Sequence, residues 1–196
     1  FLNSADYRRF LQQLRDALQR DGVVLYAYVL MRNHYHLLVE TPRGNLNEFM
    51  RRLNTAYALY FRYRHRWPGH VFQGRYGAKL VGGEEYLLRV TRYVHLNPVR
   101  TRAMKGKEPE TIKKALRGYE WSSGRGYAGW GVPELWVDYR WLELLHGRSE
   151  KENRRRYCGY LESMAVGRDE EMESAMKASR YAVGDEAFRQ QTEAEM

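Results

Sequence analysis

Residues 23–30, VVLYAYVL, form a continuous apolar run of β-branched and aromatic side chains. The run has strand length rather than helix length and offers no polar side, so it reads as a strand covered on both faces. Met31, Arg32 and Asn33 turn the chain, and residues 34–40, HYHLLVE, then alternate. Strand geometry sends His34, His36, Leu38 and Glu40 to one face and Tyr35, Leu37 and Val39 to the other. The two strands make a hairpin, and the rest of the chain must supply what covers it.

Helical periodicity supplies candidates. Tyr7, Phe10, Leu11, Leu14 and Leu18 recur at helical spacing, with Ser4 as the expected N-cap and Gly22 just past the end. Pro42 and Gly44 break the hairpin, after which Leu46, Phe49, Met50, Leu53, Tyr57 and Tyr60 mark a second helix. Residues 70–81, HVFQGRYGAKLV, read as a further strand or pair of strands, bent at Gly74 and Gly77. Tyr86, Leu87, Val90, Tyr93 and Val94 define a third helix, opened by Glu84 and Glu85 and closed by Pro98. The order predicts an α+β fold with helices on one face of an antiparallel sheet. Adding one strand ahead of Phe1 would complete a ferredoxin-like (RRM-like) order, so the natural chain is expected to begin earlier. Domain boundaries are set at 1–130 and 131–196, the latter a helical extension containing ENRRRYCGYLESM and ASRYAVGDEAFRQ as two helical stretches.

Charge narrows the partner. Residues 1–148 carry 25 basic and 13 acidic side chains, whereas residues 149–196 carry 8 and 11. A basic body of this kind suits a polyanion, nucleic acid foremost. No apolar run reaches the roughly 18 residues that cross a bilayer, so no membrane partner is expected. The single Cys158 allows no internal disulfide and fits a reducing compartment, here the cytoplasm.

His34 and His36, two apart on a strand, can converge on one cation, or can be an ordinary polar pair at a sheet edge. Tyr93 and Asn97, four apart, share a helix face, and Asn97 can offer a carboxamide oxygen there or act as a C-cap. Pro98 biases Asn97 away from the αR conformation. Tyr86 is the rival phenol one turn pair earlier, Glu40 is either a supporting carboxylate or a solvated strand-end acid, and His95 is expected to face solvent or a neighbouring loop.

VLMRNHYHLLVETP, MRRLNTAYALYF, GHVFQGRYGAKLV and YLLRVTRYVHLNPVR together resemble the single-tyrosine HUH transposases, specifically the REP-associated tyrosine transposase branch. The resemblance spans about residues 1–127, where YEWSSGRGY looks like the stretch that closes the family's domain. It implies that His34 and His36 bind a divalent metal, Mg2+ or Mn2+, with Asn97 as third ligand, and that Tyr93 is the nucleophile. It further implies cleavage and rejoining of single-stranded or hairpin DNA through a 5′-phosphotyrosine, a nucleoid-associated setting, and a monomer or homodimer as the assembly. A hairpin-binding module without catalysis, and an HUH replication initiator or relaxase, are the alternatives. Arg51, Arg52, Arg62, Arg64, Arg75, Lys79, Arg89 and Arg92 are the expected nucleic-acid contacts, the first four interleaved with aromatic rings as single strands favour.

Overall fold

Asn3, rather than Ser4, caps the first helix, α1 (Ser4–Asp21): its side chain accepts the Ala5 and Asp6 N–H groups while the Asp6 carboxylate accepts the Asn3 N–H. The reciprocal pairing satisfies donors that a helix start leaves open. Gly22 ends α1 in the left-handed conformation, φ 66°, which a residue with a Cβ adopts only at a cost. The computed structural model describes residues 1–167 and 169–196.

β1 (Val24–Leu30) pairs antiparallel with β2 (Tyr35–Glu40), placing Val29 opposite His36 and Leu30 opposite Tyr35. His34 lies one residue before the strand, its carbonyl accepting the Met31 N–H at 2.8 Å across the turn. Tyr35, Leu37 and Val39 face α1 and α2 (Leu46–His65), joining the core of Phe10, Leu14, Phe49 and Leu53. The Tyr35 and Phe10 rings lie 4.7 Å apart. Leu38 faces the other way, into a second cluster with Ala27, Val29, Val90 and Val94. The α+β class is as expected, but helices cover both faces of the hairpin: α3 (Glu84–Leu96) lies across the side opposite α1 and α2.

Residues 70–81 depart from the expected strands. Only Leu80–Val81, β3, is extended, and it pairs in parallel with β4 (Ala182–Val183), about a hundred residues later. The remainder is anchored by side chains instead of a ladder: Phe72 packs against Tyr57 and Tyr35, and Tyr76 donates its hydroxyl to Asn47. The β3–β4 contact demands a glycine, because a Cβ on Gly82 would lie 2.4 Å from the Phe188 ring.

The outer edge of β1 is occupied by a later segment. Leu30 N–H donates to the Trp121 carbonyl, Ser123 N–H to the Tyr28 carbonyl and Asp138 N–H to the Leu25 carbonyl. The Tyr127 hydroxyl adds a bond to the Tyr26 carbonyl at 2.9 Å. These bonds satisfy the backbone groups that an edge strand would otherwise leave exposed. The short helix α4 (Pro109–Arg117) precedes this segment, α5 (Gly124–Tyr127) lies within it, and α6 (Glu150–Ser163) packs Tyr157 and Leu161 into the same core. Then come α7 (Glu170–Ala178), β4 and α8 (Glu186–Glu195), so ASRYAVGDEAFRQ is not one helix but a strand followed by the start of a helix.

His95, expected to face solvent or a neighbouring loop, is buried at 1 % exposure. Its Nε2 meets Ser123 Oγ at 2.8 Å and its Nδ1 meets the Tyr157 hydroxyl at 2.7 Å. Tyr157 is fully buried, so its proton is satisfied by donation to Nδ1. Nε2–H then donates to Ser123 Oγ, which accepts the Tyr28 N–H at 2.9 Å and can donate to the Tyr28 carbonyl. One neutral imidazole thus ties α3, β1 and α6 together, and burial holds its pKa down at about 3. In the unfolded chain the ring takes a proton near pH 6.5. Its contribution is therefore intact above about pH 6.5 and falls as pH drops toward 3. Urea unfolding should show that decline, and His95→Gln should flatten it by about one proton. At pH 7, Tyr157→Phe should cost about 1–3 kcal/mol by stranding Nδ1.

Candidate functional site

The third helix reaches the hairpin where the alternation of β2 turns His36 toward it. The Tyr93 ring centroid lies 6.1 Å from that of His36, in edge-on orientation, and the His34 and His36 centroids lie 5.0 Å apart. Asn97 completes the neighbourhood. Its backbone is αR (φ −50°, ψ −41°), contrary to the bias expected from Pro98. The reason is a tightening of the helix end: Asn97 N–H donates to Val94 rather than to Tyr93, and the chain passes into a 3₁₀ turn over Asn97–Val99. The Tyr93 carbonyl so released is taken by Asn97 Nδ2 at 2.9 Å. With its nitrogen engaged, the carboxamide presents its oxygen to His36, with which it hydrogen-bonds.

Protonation follows from burial. Desolvation, and then the neighbouring His34, pull the His36 pKa down to about 4 against the opposing bond from Asn97. Desolvation also lowers His34. Both rings are therefore neutral at pH 7, and His34 Nδ1, 2.8 Å from Asn33 Oδ1, donates there and leaves Nε2 with its lone pair. Desolvation, with a smaller push from Glu173, raises the Tyr93 hydroxyl above the ordinary phenol value. The phenol rests protonated.

Among the described residues no group of three or more His, Cys, Asp or Glu side chains is arranged to hold a metal ion. What these residues offer is two neutral imidazoles and one carboxamide oxygen. That sparse set fits a divalent cation that keeps several positions for water or phosphate oxygens.

Other candidates lie elsewhere. Glu40 accepts a hydrogen bond from the Tyr26 hydroxyl at the far end of β2. Tyr86 is half-buried with the Arg89 guanidinium 5.6 Å from its ring centre. The expected nucleic-acid contacts divide by their partners. Arg52 pairs with Asp21 at 3.0 Å, Arg89 with Glu171 and Arg92 with Asp169, while Lys79 donates to the Ser179 carbonyl. Arg51, Arg62 and Arg75 are exposed and pair with no carboxylate among the described residues, and Arg64 stands 4.0 Å from Asp6. Sequence reading missed Glu173, on a helix whose placement beside α3 no local pattern announces. It also missed Arg8 and Arg9, whose place on the polar side of the first helical stripe was the available signal.

The family model described as "Transposase IS200 like" matches residues 1–97. No curated protein and no solved structure matches the chain. The match contains β2, α3 and the first residue of the turn that follows, hence His34, His36, Tyr93 and Asn97.

The Asn97–His36 contact has a direct readout. In a titration followed by imidazole NMR, Asn97→Ala should lower the His36 midpoint below about 4, because it removes the bond that favours the charged ring. An unchanged midpoint would contradict the contact.

Proposed function

Because residues 1–97 belong to the IS200-like transposase family, we propose that the protein is a DNA strand transferase in which Tyr93 is the nucleophile. Its substrate is single-stranded or hairpin DNA of the kind implied by the REP-associated branch. The observation that carries the reading is the meeting of Tyr93, His36 and Asn97 on one side of the hairpin, with His34 beside His36.

The Tyr93 hydroxyl oxygen attacks phosphorus, the bond to the 3′ oxygen breaks, the phenol proton leaves to solvent, and the departing 3′ oxygen takes up a proton. The products are a 5′-phosphotyrosine and a free 3′-hydroxyl. One phosphodiester is exchanged for another, so rejoining needs no nucleotide cofactor. A divalent cation, Mg2+ or Mn2+, held by His34, His36 and Asn97 Oδ1, would neutralise charge at the scissile phosphate. The protein's own residues do the rest. His36 and His34 stay neutral and keep lone pairs available, Asn97 fixes its carboxamide by bonding back to the Tyr93 carbonyl, and α3 holds the phenol in a half-buried position. Partial burial keeps competing water from the phenol and raises its pKa, so activation is needed at the moment of attack.

Labelled hairpin DNA incubated with the protein and Mn2+ and run on a denaturing gel tests the proposal. A covalent adduct is expected, and Tyr93→Phe should abolish it while leaving binding within about twofold. His36→Ala should reduce adduct formation by about a hundredfold or more. Binding without any adduct would mark a non-catalytic DNA-binding module, and an adduct surviving in Tyr93→Phe would move the nucleophile elsewhere.

A further inference from the structure

On the far side of the hairpin from Tyr93, α1 and α2 enclose an open cleft of about 1010 Å³. Arg8 and Arg9 line one wall, and Arg62, Tyr63, Arg64 and Arg66 the other. Five guanidinium groups face this space, and no carboxylate lines it. Their partners are mostly neutral: Arg8 donates to Ser4 Oγ at 3.2 Å and Arg9 to Gln12 Oε1 at 3.0 Å, while Arg62 and Arg66 pair with no acid among the described residues. Only Arg64 has a carboxylate within reach, Asp6 at 4.0 Å.

This charge is concentrated by the fold. The buried Asp6 caps the start of α1 and at the same time binds His65 near the end of α2, at 2.9 Å. The two basic helix ends are thereby locked side by side despite their mutual repulsion. Of the arginines elsewhere, Arg52, Arg89 and Arg92 are tied up by Asp21, Glu171 and Asp169, whereas Arg51 and Arg75 stand singly without a carboxylate among the described residues. In the cleft, cations from two elements meet, and among the described residues Arg8, Arg9, Arg62 and Arg66 have no acidic partner. Tyr63 stands at its rim 91 % exposed, and Trp67 just beyond is 44 % exposed. An exposed ring beside unpaired guanidinium groups offers a base-stacking platform together with phosphate neutralisation.

We propose that the cleft between α1 and α2 is a second polynucleotide-binding site, holding a segment of single-stranded DNA through Arg8, Arg9, Arg62, Arg64 and Arg66 with a base stacked on Tyr63. A single strand fits the concave shape with cations on both walls, whereas a duplex would span the rims without entering. The inference rests on the DNA-acting function proposed above for the nature of its ligand but not on Tyr93 chemistry. A strand bound here lies across the hairpin from the phenol, so substrate would be gripped at two places.

The test is fluorescence anisotropy of the full chain with labelled oligothymidylate between about 50 and 200 mM salt. The triple variant Arg8→Gln/Arg9→Gln/Arg62→Gln should bind at least about tenfold more weakly and lose about 2 from the slope of log affinity against log salt, as three lost phosphate contacts require. Tyr63→Ala should weaken binding about fivefold or more with the slope unchanged. A triple variant with wild-type affinity and slope and an unaltered melting temperature would overturn the proposal. So would wild-type binding of polyglutamate that matches oligothymidylate of equal charge, which would mark an acidic protein partner. The adduct assay separates the two readings: adduct formation with unaffected triple-variant binding sinks the cleft alone, and cleft-dependent binding with no adduct sinks the catalytic reading alone.

Discussion

The antiparallel pairing of Val24–Leu30 with Tyr35–Glu40 is the constraint on which the other features depend. Its period of two sends Tyr35, Leu37 and Val39 into the layer of α1 and α2 and turns His36 and Leu38 toward α3. A shift of one residue would put the imidazole into the core of Phe10 and Tyr57 and a tyrosine beside Tyr93. The register is held by large side chains on both faces and by the short turn in which Met31 bonds to His34. The site is thus a consequence of how the hairpin is buried.

The second half of the chain completes what the hairpin leaves open. Residues 121–138 occupy the outer edge of β1, and the buried His95 links that edge through Ser123 to Tyr157 on α6. The acidic segment beyond it is drawn to α3, where Asp169 and Glu171 meet Arg92 and Arg89. The Arg89–Glu171 pair neutralises charge on α3 one turn before Tyr93, and the Arg92–Asp169 pair is buried. The exposed guanidinium groups of α1 and α2 keep theirs, which leaves a cationic cleft on the opposite side of the hairpin from the phenol.

The hairpin and the three principal helices were legible because their signals are local. An eight-residue apolar run, an alternating run, and stripes at helical spacing each fit within a window that one element fills. Residues 70–81 were not, because Val71, Phe72 and Tyr76 have the composition of a strand but pack individually on the α1–α2 core, and the partner of Leu80–Val81 lies about a hundred residues away. The burial of His95 was not legible for the same reason: helical rotation puts it away from Tyr93, toward solvent or a loop, but nothing nearby in sequence announces that Ser123 and Tyr157 enclose it. Asn97 kept a helical backbone despite Pro98 because a 3₁₀ turn and its own side chain took over the bonds at the helix end. For the candidate site, residue types and order were legible, and the proximity of Tyr93 to His36 is a matter of tertiary packing that spacing alone does not dictate. Arginine side chains were legible as charge but not as free charge, since the acids that bind Arg52, Arg89 and Arg92 come from other elements.

The most direct measurement is a crystal of the protein soaked in Mn2+, with data collected at the manganese absorption edge. The account predicts one anomalous peak between the rings of His34 and His36, in contact with Asn97 and on the side facing Tyr93. No peak there, or a peak bound by other residues while the imidazoles stay free, would contradict it.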